Sequence, residues 1–215
     1  MEYTFNQMIN HKHKFIFIHI PKTGGTSVED TLFSSKTRTK KNLWSGYDSN
    51  KYQTGGLQHL MASHILTEVG GDIFSKYFKF SFVRNPWDKM VSQYNYTIAK
   101  RPDLMRHIGI TESTSFKDYI NHVIVAKLHV QWDHQYKFLY DGNGKLLVDF
   151  IGRFENFQED FDIVCDKIKI PRQKLPHTKK SKREHYTEYY DDETRQIVAE
   201  KYAKDIEYFG YEFGE

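Results

Sequence analysis

The chain has 215 residues, a formal net charge of +3 at pH 7, and aromatic side chains at 16% of its positions. This length suffices for one domain with a substantial core, and no stretch approaches the ~20 consecutive apolar residues of a membrane-spanning helix. The small net charge argues against a nucleic-acid-binding protein.

The cysteine content and the first residues bear on the cellular setting. Cys165 is the single cysteine, which excludes an internal disulfide framework and a cysteine metal cluster. Residues 1–13 lack the apolar region of a signal peptide. We therefore expect a cytoplasmic protein with no transmembrane segment, folded as a single domain over residues 1–215.

The strongest local pattern is a strand, a glycine-rich turn and a helix. An apolar run from Phe15 to Ile20 stops at Pro21, and a segment that can be helical follows the turn. Backbone N–H groups at a helix start are unpaired, and the helix dipole adds positive potential there. Two glycines let the backbone bend tightly, and a lysine adds a full charge. The pattern predicts a site for a phosphate-like anion, formed by Lys22, Thr23, Gly24, Gly25, Thr26 and Ser27.

This turn differs from the P-loop that binds nucleoside triphosphates. That motif reads G-x-x-x-x-G-K-[ST], with the lysine after the second glycine and a hydroxyl that holds Mg²⁺. Here Lys22 precedes both glycines, so the physics is similar and the layout is different. The alternative interpretation is an ordinary strand-to-helix turn with an incidental lysine.

A second strand-to-helix junction follows. The alternating apolar run over residues 78–83 predicts a strand, and Asn85 and Pro86 predict a helix that continues to about residue 100. Arg84 therefore lies at the carboxyl end of a strand, where open α/β sheets bind ligands. Two interpretations of Arg84 stay open: an ion pair with Asp88, and a clamp for a second phosphate, which its planar guanidinium suits.

The other elements are predicted from periodicity and turn residues. In chain order they are a loop over residues 34–58 with a basic run at 36–41, a helix over 59–69 ended by Gly70 and Gly71, a hairpin whose strands 138–140 and 146–151 flank the turn 141–145, a helix over 154–168, a basic loop over 171–190, and a helix over 192–209 ended by Gly210.

The two junctions together resemble a known family. The chain is similar to the small carbohydrate-type sulfotransferases that use 3′-phosphoadenosine 5′-phosphosulfate (PAPS). Residues 21–27, PKTGGTS, match the family's 5′-phosphosulfate loop, and residues 82–88, FVRNPWD, with Ser92, match its 3′-phosphate motif. The later segments DFIGRFENFQEDF and LPHTKKSKREHYTEYY also look family-like. The resemblance implies an α/β, P-loop-like three-layer fold with a central, mostly parallel sheet flanked by helices.

The resemblance also implies roles for residues of this chain. Lys22 contacts the bridging oxygen of the donor and neutralises charge as the phosphate leaves. Arg84 and Ser92 hold the 3′-phosphate. The residues implied to hold the 5′-phosphate are Thr23, Gly24, Gly25, Thr26 and Ser27, and those implied to cover the cofactor are Ser181, Lys182 and Arg183.

A histidine is expected to take the proton of the acceptor hydroxyl. Family members typically carry a His or Glu for this step, and His59, in the stretch QHLMA, most resembles that base. General-base help is worth ~10²–10⁴ in rate. His64 is the alternative base, His19 is expected to be structural although it is close to Lys22 in sequence, and a His59 that merely faces solvent is the remaining interpretation.

The predicted function is in-line transfer of the sulfuryl group of PAPS to a hydroxyl of a carbohydrate, glycolipid or related acceptor. A sulfuryl group carries less charge than a terminal phosphoryl group, so fixed cations and N–H donors can stabilise its transfer. We expect no metal and no nucleic-acid partner. The alternatives are a P-loop-variant kinase for a nucleoside or small molecule, which would need Mg²⁺ and ATP, and a non-catalytic module that binds nucleotides or polyanions.

Overall fold

A computed structural model describes residues 8–33, 57–125, 129–176 and 184–215. These residues form two compact units. The first comprises the described parts of Met1–Val83 and Gln135–Lys180, and the second comprises those of Arg84–His134 and Ser181–Glu215. The expectation of a single domain over residues 1–215 stays a prediction.

The strands and helices of the described residues follow in chain order. They are β1 Ile9–Asn10, β2 Phe15–Ile18, α1 Gly25–Leu32, α2 Ala62–Lys76, β3 Phe78–Val83, α3 Pro86–Lys100, α4 Pro102–Ile108, α5 Phe116–Val125, α6 Tyr136–Leu139, β4 Phe150–Arg153, α7 Phe157–Lys167, α8 Asp192–Lys201 and α9 Ala203–Phe209. Short 3₁₀ helices occupy Leu57–His59, Val130–Trp132, Phe154–Asn156 and Tyr186–Tyr189.

The sheet belongs to the first unit and has the order β1-β2-β3-β4. β1 pairs with β2 in the antiparallel sense, whereas β2–β3 and β3–β4 are parallel pairs, with Phe17 opposite Phe80 and Phe80 opposite Phe150. Helices flank this sheet, so the predicted α/β class with a mostly parallel sheet is confirmed. No helix in the described ranges combines the length and the apolar character needed to cross a membrane.

The core of the first unit is rich in phenylalanine because alternate residues of paired strands share one face of the sheet. Phe15 and Phe17 of β2 lie on that face with Phe80 and Phe82 of β3, and all four are almost fully buried. Val28 of α1 belongs to the same cluster, as do three residues of α7: Phe161, Val164 and Cys165. The contact fixes α1, and therefore the turn that precedes it, against the carboxyl end of β2.

The second unit begins with the helix start that the sequence predicts. The side-chain oxygen of Asn85 accepts a hydrogen bond from the backbone N–H of Trp87 at 3.1 Å, and Pro86 occupies the first helical position of α3. The side-chain amide of Asn85 donates to the carbonyl oxygen of Glu212 at 2.8 Å. Trp87 and Met90 of α3 pack with Tyr119 of α5 in the core of this unit.

Three predicted elements differ from the structure. The helix expected over residues 59–69 begins at Ala62, breaks its helical geometry at Gly70 (φ 79°, ψ 157°) and continues to Lys76. The helix expected over 192–209 is interrupted at Tyr202, so α8 and α9 are separate.

The third difference concerns the hairpin around residue 143. Its turn is present, since the N–H of Asp141 donates to the carbonyl of Lys145 at 2.9 Å and Tyr140 forms an antiparallel bridge with Leu146. Phe138 lies in α6 instead of a strand, and β4 pairs with β3. Packing against the parallel sheet therefore outweighs local hairpin formation.

Candidate active site

The turn between β2 and α1 has two residues in the left-handed conformation. Lys22 has φ 69° and Gly24 has φ 84°, and Gly25 begins α1. A left-handed residue followed by a helical one turns successive backbone N–H groups toward one concavity, an arrangement that favours anions. Gly24 carries no side chain to cap α1, and no acidic residue occupies the first turn of this helix, so the positive end of its dipole is not neutralised from within that turn.

Close packing explains why glycine is required at both positions. A Cβ on Gly24 would lie 2.6 Å from Cζ of Phe157, at the start of α7. A Cβ on Gly25 would overlap the ring of His19. The segment that begins α7 therefore forms one wall of the turn, and His19 forms the other.

Three successive backbone carbonyls at the end of β2 accept hydrogen bonds from side chains. The acceptors are the carbonyls of residues 18, 19 and 20, and the respective donors are Ser81 Oγ at 2.6 Å, His59 Nδ1 at 3.0 Å and Thr23 Oγ1 at 3.0 Å. Backbone carbonyls that leave a sheet need such partners when they are buried. The 3₁₀ helix that ends at His59 is thus attached to the chain just before the turn.

His59 is buried, with 8% of its surface exposed, and its hydrogen bond defines its tautomer. A carbonyl oxygen can only accept, so Nδ1 of His59 carries a proton and donates to His19. In the neutral imidazole the lone pair then belongs to Nε2. The structure therefore rules out a His59 that merely faces solvent, and it attaches the imidazole to the backbone of His19, three residues before Lys22. His59 ends the 3₁₀ helix that precedes α2, whereas the sequence predicted it at the start of the longer helix.

His19 forms a buried pair with Glu29 of α1. Nδ1 of His19 lies 2.7 Å from Oε1 of Glu29, and the two side chains are 8% and 0% exposed. The rings of His19 and His59 meet edge to face with centroids 4.6 Å apart. Sequence analysis does not single out Glu29. A glutamate one helical turn after Gly25, on the face that Val28 also buries, is the signal that could have found it.

The hydroxyl residues of the turn differ in their surroundings. Thr23 is fully buried and uses its hydroxyl proton on the carbonyl of Ile20, so only its backbone N–H remains as a donor for a ligand. Thr26 and Ser27 are half-buried in the first turn of α1. Lys22 is also half-buried.

Arg84 is the residue that follows β3, and it lies in the second unit. Its Nε donates to Oδ2 of Asp88 at 2.7 Å, and its Nη2 lies 2.7 Å from the same oxygen. Arg84 is 7% exposed. Ser92 is half-buried one turn of α3 beyond Asp88 and therefore lies on the same side of the helix. The ion-pair interpretation of Arg84 is confirmed, and its role as a phosphate clamp stays a prediction.

Lys89 of α3 is a second buried cation of this unit. Its Nζ approaches the carbonyl oxygens of Gln131 at 3.5 Å and Asp133 at 3.4 Å, and it lies 5.5 Å from the ring centre of Tyr202. Burial lowers the pKa of Lys89 to about 8, against the opposing effect of Asp205 and Asp133. This amine therefore loses its proton at a lower pH than an exposed lysine does.

The structure gives less information on the other predicted site residues. His64, the alternative base, is half-buried in α2, and burial lowers its pKa while Glu68 opposes that shift. Ser181, Lys182 and Arg183, together with both basic runs, lie outside the described residues.

Comparison with known proteins identifies the class of this enzyme. A model of the sulfotransferase family matches residues 6–212. The chain therefore belongs to the sulfotransferase family, and its chemistry is sulfuryl transfer. An uncharacterized protein of Archaeoglobus fulgidus is 35% identical to it over 111 residues, which are 51% of this chain and 82% of that protein. No solved structure matches the chain.

Proposed function

We propose that the protein transfers the sulfuryl group of PAPS to a hydroxyl group, with His59 as the general base. The observation that carries this proposal is the hydrogen bond from Nδ1 of His59 to the carbonyl of His19, which leaves Nε2 as the basic nitrogen beside the turn that contains Lys22. Membership of the sulfotransferase family supports the reaction class.

The residues of the turn suit the phosphosulfate end of the donor. The left-handed Gly24, the uncapped start of α1 and the half-buried Thr26 and Ser27 provide donors for an anion. When bound, PAPS supplies an activated sulfuryl group whose departure leaves charge on a phosphate. Lys22 is assigned to neutralise that charge, and a fixed cation lowers the barrier most where charge develops.

Arg84 and Ser92 are assigned to the 3′-phosphate of the same donor. A guanidinium can pair with a phosphate through two parallel hydrogen bonds. The Nε and Nη2 atoms of Arg84 both contact one oxygen of Asp88, so the bound phosphate would share this cation with the carboxylate. Ser181, Lys182 and Arg183 keep their proposed role in covering the cofactor.

His59 supplies the step that the acceptor needs. A hydroxyl is a weak nucleophile, and proton transfer to Nε2 as the new S–O bond forms makes it a stronger one. Nδ1 keeps its proton and its hydrogen bond to the carbonyl of His19 during this step, and this carbonyl oxygen stabilises the positive charge that the ring acquires. A carbohydrate or glycolipid acceptor and a cytoplasmic location belong to the proposal as sequence-based predictions.

A ligand-dependent thermal shift tests the donor. A ligand that binds only the folded state raises its stability with the logarithm of concentration over Kd. We expect 3′,5′-bisphosphoadenosine to raise the melting temperature in the absence of metal, and Lys22→Ala and Arg84→Ala to reduce this shift. Lys76→Ala is the control, because that side chain is 70% exposed at the end of α2. A shift with Mg²⁺-ATP alone would favour the kinase alternative.

Single-turnover transfer from ³⁵S-labelled PAPS tests the base. The acceptors are a glucan, a galactolipid and an unsulfated glycosaminoglycan. We expect His59→Ala to slow transfer by about 10²–10⁴ at unchanged bisphosphate affinity, whereas His64→Ala keeps most of the rate. The opposite result would assign the base to His64.

A further inference from the structure

His19 is held on four sides in the first unit. Its Nδ1 pairs with Oε1 of Glu29 at 2.7 Å, and its opposite edge fills the space where Gly25 lacks a Cβ. Its ring lies 4.6 Å from that of His59 and stacks on that of Phe17 at 5.8 Å. A side chain with this many contacts is restricted to one rotamer, and it touches both the start of α1 and the proposed base.

His59 receives two contacts from this one residue. Its Nδ1 donates to the backbone carbonyl of His19, and its ring packs edge to face on the His19 ring. Displacement of the His19 ring would remove the contact that orients the His59 ring, and a displacement that also shifts the adjoining carbonyl would remove the acceptor that keeps Nδ1 of His59 protonated. The Nδ1 edge of the His19 ring is held by Glu29, which lies ten residues later in α1 and is fully buried.

Burial of a carboxylate is energetically unfavourable. Removing a charge from water is strongly unfavourable unless hydrogen bonds compensate, and apolar residues of the same size often pack as well. Glu29 contacts His19, and His19 contacts His59. A role in the reaction would explain why a carboxylate is kept at this buried position.

We propose that Glu29 is a positioning residue that acts through His19 to hold His59 with Nδ1 protonated and Nε2 directed to the acceptor. Glu29 holds the His19 ring, and the His19 carbonyl and ring hold His59. The proposal rests on the function proposed above, since it assigns the support of the base named there.

Histidine ring NMR tests this arrangement without any acceptor. With ¹⁵N-labelled histidine, assigned through His59→Gln, we expect the wild-type protein at pH 8 to show His59 protonated at Nδ1 only. Glu29→Met, which keeps the side-chain length but offers no acceptor, is expected to give a mixture of the two tautomers. Glu29→Gln keeps an acceptor oxygen and is expected to restore the wild-type spectrum. An unchanged His59 signal in Glu29→Met would overturn the proposal.

A double-mutant cycle provides the kinetic test. We expect Glu29→Met to lower kcat about ten- to hundredfold, as misplacement of a reacting group does, with the bisphosphate Kd changed less than twofold. In a His59→Ala background the same substitution should have no further effect, because Glu29 acts through His59. Additive losses would instead show a general structural role. Asp72→Asn, at a carboxylate that is 94% exposed in α2, is the control.

A second variant keeps the test valid if Glu29→Met does not fold. Replacing both partners of a buried polar pair by apolar residues is often nearly neutral for stability, so His19→Leu/Glu29→Leu is expected to fold, to lose the ring contact that orients His59, and to show the same loss of kcat. A wild-type rate in this double variant would overturn the proposal. If the wild-type protein transfers sulfate to no acceptor, the proposed function fails, and the NMR result still decides whether Glu29 positions His59.

Discussion

The two cations assigned to the donor are held in different ways, one in each unit. Lys22 is fixed by its backbone, which adopts a left-handed conformation (φ 69°) between a strand and a helix. Arg84 is fixed by its side chain, which is buried and bonded twice to one carboxylate oxygen. A ligand at Lys22 uses a conformation that the fold has already imposed, whereas a ligand at Arg84 has to share a guanidinium with Asp88.

The largest effect is expected from the packing behind Lys22. In Gly25→Ala the new Cβ would overlap the His19 ring, and that ring cannot move without losing its hydrogen bond to Glu29. Overpacking of this kind typically costs about 1–3 kcal/mol. We expect chemical denaturation to show this loss in the free energy of unfolding, and calorimetry to show no bisphosphate binding.

Gly71→Ala is the matched control for that substitution. Gly71 lies in α2, and a Cβ there meets no atom within 4 Å. The free energy of unfolding is expected to stay constant or rise slightly, because alanine favours a helix over glycine. If Gly25→Ala is as harmless as Gly71→Ala, the turn is not held by His19 as the structure indicates.

The next prediction compares the contributions of Arg84 and Asp88 to donor binding. Arg84→Ala removes charge-assisted hydrogen bonds, each worth about 1.5–3 kcal/mol, so we expect the bisphosphate Kd to rise by about ten- to hundredfold. Asp88→Asn should have the opposite sign, with a lower Kd, because it removes the carboxylate that competes with phosphate for the guanidinium. Titration calorimetry of both variants measures the difference. A Kd that rises equally in both would mean that Asp88 orients Arg84 and does not compete.

The strand-to-helix junctions that carry Lys22 and Arg84 could largely be predicted, because such junctions depend on local sequence rules. Asn85 and Pro86 begin α3 as expected, and Gly24 adopts the left-handed conformation that the strand-to-helix turn needs. The helix boundaries that were predicted wrongly depend on contacts between residues far apart in sequence. The helix predicted from residue 59 begins at Ala62 because His59 is tied to the carbonyl of His19, a bond that spans 40 residues of sequence.

The surroundings of the site were not predictable for the same reason. A local pattern shows that Glu29 is acidic and helical, but it does not show that the residue is fully buried against His19. The pairing of Arg84 with Asp88 was one of two open interpretations, because a spacing of four residues on a helix permits it without requiring it. Burial decides between such alternatives, and burial is a property of the assembled unit.

A smaller effect, on the pH dependence of the free energy of unfolding, is expected from Lys89. Its pKa is lowered to about 8 mainly by burial, with Asp205 and Asp133 raising it and Lys201 and Arg84 lowering it further. The unfolded state keeps a pKa near 10.5 and therefore binds more protons than the folded state between these values. The contribution of Lys89 to the free energy of unfolding thus rises with pH above about 8, with a slope of at most about 1.4 kcal/mol per pH unit.

The measurement is the difference between the wild-type protein and Lys89→Met in urea unfolding from pH 7.5 to 10. Subtraction removes the titration of other groups. We expect the wild-type protein to gain stability relative to the variant across this range. A difference that stays constant with pH would show that the buried amine keeps its proton, and that Arg84 and Lys89 are both permanently charged.

The smallest effect is expected from the backbone of Lys22 itself. The left-handed conformation costs a residue with a side chain about 1–2 kcal/mol, and glycine avoids this cost but gives a more flexible unfolded chain. We expect Lys22→Gly to gain about 0.5–1 kcal/mol in the free energy of unfolding and to lose much of the thermal shift with 3′,5′-bisphosphoadenosine. Stability and ligand binding would then change in opposite directions.

Lys169 supplies the control for this last prediction. It has φ 57°, is exposed after α7, and is also a lysine of the first unit. Lys169→Gly is expected to give a similar gain in stability with the bisphosphate shift intact, because its charge lies outside the turn. If both variants keep the full shift, the charge of Lys22 plays no part in donor binding. If only Lys169→Gly gains stability, the side-chain contacts of Lys22 compensate the cost of its left-handed backbone. The position of this cation would then depend on its side chain as well as on its backbone.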